Sequence, residues 1–128
     1  MVWDRKLYEE NIIDHYKRPR NHKVLDSCSA EAVDENLLCG DRVRVQLKIE
    51  DGKIADIGFQ TEGCVICTAS ASMLSEEMLG KSLKEAEAAD ERLLLALLGI
   101  EPGPARRGCA MLPLKVFKLA LYKYLNRK

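Results

Sequence analysis

A chain of 128 residues is long enough to bury its own apolar core and short enough for one unit, so a single domain spanning residues 1–128 is expected. Twenty basic against twenty acidic side chains leave no net charge, which argues against nucleic acid as the main partner. Hydrophobic residues at 47% and charged residues at 31% give a soluble globular composition, and no apolar run is long enough to span a bilayer, so no membrane role is expected.

The opening Met1-Val2-Trp3-Asp4-Arg5-Lys6 is too charged for a signal peptide, which points to the cytoplasm. Thiols stay reduced there, so the five cysteines are ligands, nucleophiles or core residues before they are disulfide partners.

Leu7, Tyr8, Ile12, Ile13 and Tyr16 recur at three- and four-residue spacing, predicting an amphipathic helix from Trp3 to Tyr16 with Asp4 as N-cap. Pro19 ends it. Arg18 to Asp26 reads as an irregular connector, and Ala30 to Asn36 as a weakly patterned first strand. Val43, Val45, Leu47 and Ile49 alternate with Arg42, Arg44, Gln46 and Lys48, the pattern of a strand with one wet face. Asp51-Gly52 signals a hairpin turn. The returning strand, Lys53 to Gln60, places Ile54, Ile57 and Phe59 imperfectly in period two.

Beyond Gly63-Cys64, residues Val65 to Leu79 carry no breaker until Gly80 and predict a helix. Its first half, Thr68-Ala69-Ser70-Ala71-Ser72, is all small, which suits tight helix packing better than the approach of a bulky cofactor. Ser82-x-x-Glu85 is a capping box for a short helix through Ala89; Asp90 caps another, Glu91 to Leu98, closed by Gly99. Pro102-Gly103-Pro104 reads as a forced loop. The last helix is expected from about Met111 to Asn126, with Leu112, Val116, Leu119 and Leu125 among its apolar positions and Pro113 in its first turn. Cys109 would then precede a helix N-terminus, whose positive potential favours a thiolate. The order gives an α+β fold: a small three-stranded antiparallel sheet, helices packed on one face, an N-terminal helix and a long C-terminal helix.

Chemistry concentrates in Asn36-Leu37-Leu38-Cys39-Gly40-Asp41. A bend at Gly40 can aim a thiolate and a carboxylate at one point, a soft donor beside a harder one. Three readings of the cysteines compete. Cys64-Val65-Ile66-Cys67 follows a strand and opens a helix, as a redox pair would, although no βαβ unit precedes it. Cys39, Asp41, Cys64 and Cys109 suit a closed structural zinc site, although such sites usually draw on thiolate pairs close in sequence. The same four residues suit an open, labile site for a [2Fe–2S] cluster or its sulfur. Cys67 then becomes a spare thiol or a small core residue, Cys28 a buried structural cysteine, and His15 a packing or hydrogen-bonding residue.

Taken together, Tyr8-x3-Ile12-Ile13-Asp14-His15-Tyr16-x2-Pro19-Arg20-Asn21, Asn36-x2-Cys39-Gly40-Asp41, Gly63-Cys64 with Thr68-Ala69-Ser70-Ala71-Ser72, and Arg107-Gly108-Cys109 resemble the iron–sulfur cluster scaffold family of the IscU, SufU and NifU N-terminal type. The match covers nearly the whole chain. This resemblance implies a scaffold, not an enzyme, with Cys39, Cys64 and Cys109 as cluster ligands and sulfur acceptors and with Asp41 tied to cluster lability. It also implies a cysteine desulfurase as sulfur donor, iron delivered separately, recipient apo-proteins, a homodimer when cluster-bound, and Zn2+ on the same ligands in a resting form.

Departures from the family pattern shape those expectations. Many members carry His where this chain has Gly108, which makes Asp41 the stronger fourth ligand. The Leu-Pro-Pro-Val-Lys segment of members served by a dedicated Hsp70-type chaperone is replaced by Pro102-Gly103-Pro104-Ala105-Arg106, so that chaperone is not expected. Only forty-four residues separate Cys64 from Cys109, too few for the long insertion of the zinc-dependent SufU branch. A zinc-bound sulfur acceptor that stimulates a desulfurase is the second reading. Cys67 is unusual for the family and is open to roles as second persulfide acceptor, alternative ligand or core residue. Tyr8 is expected either to support a dimer contact or to face the core in a row with Ile12 and Tyr16. Arg106, Arg107 and the lysines of the last helix offer a basic surface for an acidic partner, and the arginines would lower the Cys109 thiol pKa.

Overall fold

Strict alternation along the middle strand sets the architecture. The computed structural model describes residues 5–38 and 40–127. Its elements are α1 (Arg5–Lys17), β1 (Ala30–Asn36), β2 (Asp41–Glu50), β3 (Lys53–Glu62), α2 (Val65–Met78), α3 (Leu83–Ala88), α4 (Glu91–Leu98) and α5 (Pro104–Leu125). The three strands form an antiparallel sheet in the order β1-β2-β3. Val43, Val45, Leu47 and Ile49 of β2 are all buried beneath the helices, so that row alone commits the strand to one register.

The imperfect period of β3 has a local cause. Lys48 pairs with Asp56 but Ile49 pairs with Ile54, leaving Ala55 as an extra residue. Such a bulge lets Ile54 and Ile57, three apart, both point into the core. On the opposite face the connector after α1 lies against the sheet. Phe59 N–H donates to the Asn21 carbonyl and Leu25 N–H to Gln46 Oε1. Gly58 permits this approach, because a Cβ there would lie 2.5 Å from the Lys23 carbonyl oxygen.

Helix α2 lies on β3, α1 lies on α2, and α5 crosses β1, β2 and α2. Every residue of the small stretch Thr68–Ser72 is buried. Ser70 Oγ donates to the Ala110 carbonyl of α5, and Ser72 Oγ bonds both His15 Nδ1 and the Arg20 amide, so the stripe serves close helix packing.

Two expectations change. The inward face of α1 holds Ile12 and His15, whereas Ile13 and Tyr16 are about two-fifths exposed. The bond from His15 to Ser72 turns that side of the helix toward α2. Second, α5 begins at Pro104, seven residues earlier than expected, with Gly103 as N-cap and Pro104 at the first helical position. Pro113 is therefore inside the helix and fully buried; it removes the bond residue 113 would donate to the Cys109 carbonyl. Of the apolar positions of this helix, Leu112 and Val116 are buried, while Leu119 and Leu125 are about two-fifths exposed. Asp4, Cys39 and the side chain of Tyr8 fall outside the described residues.

Candidate metal centre

The turn between β1 and β2 is the stretch in which the sequence concentrates donors. Asn36 and Asp41 form the last pair of the β1–β2 ladder, and Gly40 takes φ +74°, a left-handed conformation that closes the loop. Gly40 N–H donates to the Asn36 carbonyl, and Asn36 Oδ1 accepts from Leu38 N–H. Leu37 and Leu38 are 86% and 97% exposed on this loop. They line one side of a groove of about 800 Å3 whose other side includes Gly108, Met111 and Leu112 of α5.

Asp41 points the other way, into the protein, and is only 1% exposed. Its Oδ1 accepts from the Cys64 amide at 2.9 Å, and its Oδ2 lies 4.0 Å from Cys64 Sγ. Gly63 makes room for that carboxylate, since a Cβ at residue 63 would lie 2.7 Å from Asp41 Cγ. Cys64 is the N-cap of α2, with extended backbone and no side-chain cap bond of its own. Cys109 reaches the same place from the first half of α5 and is buried. One donor atom from each of Asp41, Cys64 and Cys109 lies within 4.8 Å of the other two. Two thiols and a carboxylate at that separation can converge on one metal ion.

Several electrostatic expectations change with this geometry. Cys109 sits inside α5 and not ahead of it, so the helix-terminus potential acts instead at Cys64, the residue that opens α2. Arg107 donates to both Glu101 and Glu91; these carboxylates hold its pKa above the ordinary guanidinium value and neutralise the charge expected to act on Cys109. Cys67 is fully buried in the first turn of α2. Cys28 is only partly buried, with Gln46 Nε2 donating to its sulfur at 3.8 Å. His15 is nearly buried, and burial pushes its pKa down.

Two parts of the site were not anticipated: the clearance at Gly63 and the contact at Gly108, where a Cβ would lie 2.7 Å from Asn36 Nδ2. Both glycines adjoin candidate ligands, and that adjacency was the available signal.

The NifU-like N-terminal domain family matches residues 7–128. Among characterised relatives, the zinc-dependent sulfurtransferase SufU of Bacillus subtilis is 34% identical over 91% of this chain and 90% of its own length. The iron–sulfur cluster assembly scaffold protein IscU of Escherichia coli is 35% identical over 94% of this chain and 96% of its own. A candidate SUF-system scaffold from Fervidobacterium islandicum superposes with a TM-score of 0.74 at 28% identity, covering 91% of this chain and 97% of its own. A NifU-like N-terminal structure from Brucella abortus gives 0.79 at 20% identity, over 94% of this chain and 96% of its own, and so shares the fold. Among the described residues no helix is long and apolar enough to cross a membrane.

Proposed function

The chain belongs to the NifU-like N-terminal domain family, and on that premise we propose that it is a scaffold for assembly of a [2Fe–2S] cluster and its transfer to recipient apo-proteins. One observation carries the reading: Asp41, Cys64 and Cys109, drawn from three separate elements, bring their donor atoms within 4.8 Å of one another. Cys39, two residues before Asp41 in the sequence, is assigned as the third thiol. In this assignment Cys39, Cys64 and Cys109 accept sulfur from a cysteine desulfurase and hold iron, both as substrates.

The residues suit cargo that must leave. Thiolates are soft ligands and grip iron and zinc firmly, whereas a carboxylate is harder and grips such metals less. Asp41 keeps one coordination position weak, and its bond from the Cys64 amide holds the carboxylate beside that thiol. The exposed loop tip on one side leaves an approach for a donor or a recipient. The protein acts as a carrier in the cytoplasm, as one domain over residues 1–128, and pairs as a homodimer when the cluster is bound.

A second reading rests on the similarity to SufU, a zinc-dependent sulfurtransferase: Zn2+ on the same ligands, with a thiol taking sulfur from a desulfurase. Anaerobic purification separates the two, with absorption spectra and metal analysis before and after adding a cysteine desulfurase, cysteine and ferrous iron. Sulfide-to-iron charge-transfer bands that leave this protein and reappear on an apo-ferredoxin, read after the two are separated, are expected of the scaffold. A colourless protein holding one zinc, unchanged by the treatment, would leave the zinc reading.

A further inference from the structure

Cys64 and Cys67 stand in a relation that the metal centre does not use. Cys64 is the N-cap of α2 and Cys67 the third residue of its first turn, a turn closed by the bond from Thr68 N–H to the Cys64 carbonyl. An N-cap side chain can fold back over this turn toward the third helical residue, as in a capping box, although Cys64 Sγ makes no cap bond in this arrangement. On a helix of about 2.3 Å radius and 1.5 Å rise, residues three apart hold their Cα atoms about 5 Å apart. A disulfide spans Cα separations of about 4.4–6.8 Å, so this pair is within reach of one. The exposures differ: Cys67 is 0% exposed within the core, while Cys64 is partly open and aims its sulfur at Asp41 and Cys109.

We propose that Cys67 is the resolving thiol that releases sulfide from a persulfide on Cys64. This rests on the reading that Cys64 accepts sulfur. Desulfurase-derived sulfur is sulfane sulfur, whereas a [2Fe–2S] cluster needs sulfide, two electrons more reduced. Cys67 thiolate attacks Cys64 Sγ; the Cys64–Cys67 bond forms, the bond from Sγ to the outer sulfur breaks, and the outer sulfur leaves with the electron pair as HS−. The Cys67 proton passes to solvent or to the departing sulfide. Both cysteine sulfurs are oxidised by one electron each, the outer sulfur is reduced by two, and an external dithiol restores the pair. Position selects this outcome. Cys67 is enclosed in the core while the Cys64 sulfur lies beside Asp41 and Cys109, so an outer sulfur carried on Cys64 leaves among those donors.

The test uses the full chain, free of metal and of added dithiol, treated either with a cysteine desulfurase and cysteine limited to one equivalent per chain or with inorganic polysulfide, then desalted. Intact mass, peptide mapping and released sulfide are read for the natural protein, Cys67→Ser and Cys67→Ala, with circular dichroism confirming that each variant folds. The expected result is a Cys64–Cys67 disulfide with one sulfide released per chain in the natural protein. Both variants should instead retain sulfur on Cys64 and release about tenfold less sulfide. A persulfide on Cys64 that is as long-lived in the natural protein as in the variants overturns the proposal, as does sulfur that never reaches Cys64 under either treatment. Resolution seen with polysulfide but not with the desulfurase would sustain the role of Cys67 while removing the desulfurase from the proposed function.

Discussion

The Cys64 amide donates to Asp41 Oδ1 at 2.9 Å, which ties the residue that opens α2 to the residue that opens β2. Twenty-three positions of chain separate them, and the bond works because Gly63 lies between. A methyl group there would coincide with the carboxylate, so the turn into α2 and the donor group form one unit.

Gly63→Ala tests that unit. The added Cβ would sit 2.7 Å from Asp41 Cγ and 3.0 Å from its Cβ, so the carboxylate must swing out of the group. Overpacking of this kind costs about 1–3 kcal/mol. A matching fall in urea stability is expected, with zinc affinity lowered about tenfold or more in chelator competition, as for other disturbed ligand supports. Unchanged affinity would remove Asp41 from the ligand set.

Asp41→Asn and Asp41→Ala separate charge from shape. Asn keeps an oxygen to accept the Cys64 amide, so its apo stability should lie within about 1 kcal/mol of the natural protein. Ala leaves that amide unpaired and should cost about 1–3 kcal/mol. On the proposed ligand set both lose the hard, weak ligand, so a reconstituted cluster should pass to an apo-ferredoxin more slowly than from the natural protein. Loss of metal and fold together in both variants would instead mark a structural zinc site.

Strands and caps were legible because each has a local cause. The β2 alternation, the Asp51-Gly52 turn, the Ser82 capping box and the Asp90 cap all form where the residues predict. The start of α5 was misread because Pro102-Gly103-Pro104 contains two opposite signals: a breaker, and a Gly–Pro pair suited to N-cap and first position. Burial of the helix against β1 and β2 decided between them. Which face of α1 turns inward depended on Ser72, fifty-seven residues from His15, and no local pattern carries that. Asp41, Cys64 and Cys109 were singled out by residue type and spacing and lie together in the fold, but the clearances at Gly63 and Gly108 exist only once separate elements meet.

Gly108 offers a double-mutant test of the loop against α5. Within a helix, Gly→Ala ordinarily gains about 0.5–1 kcal/mol. Here the new Cβ meets Asn36 Nδ2 at 2.7 Å, so Gly108→Ala alone should gain little or lose stability. With Asn36→Ala in place the gain should return, and the cycle should give a favourable coupling of about 0.5–1 kcal/mol after subtracting the loss of the Asn36 turn bonds. Strict additivity in urea denaturation would place Asn36 away from Gly108 in solution.

His15 gives the fold a pH dependence whose sign follows from burial. Desolvation is the main cause that lowers its pKa from the usual 6.5, with the Arg20 charge adding to it and Glu76 and Asp14 opposing. The folded protein therefore resists a proton that the unfolded chain accepts. Stability from this group is complete above the unfolded value and is lost as pH falls from about 6.5 toward the folded pKa. Asp14, held low first by Arg20 and then by Arg18, and Asp34, held low first by Lys115, keep their contributions until the solution is far more acidic, so the windows do not overlap. The urea midpoint of the natural protein should fall between about pH 7 and pH 5.5, while His15→Gln, which cannot titrate, should show a flatter profile over that interval. The exposed His22 is common to both proteins and cancels in the comparison. Parallel profiles would mean that His15 takes up its proton in the fold as readily as in the unfolded chain, and that the Ser72 bond tolerates the imidazolium.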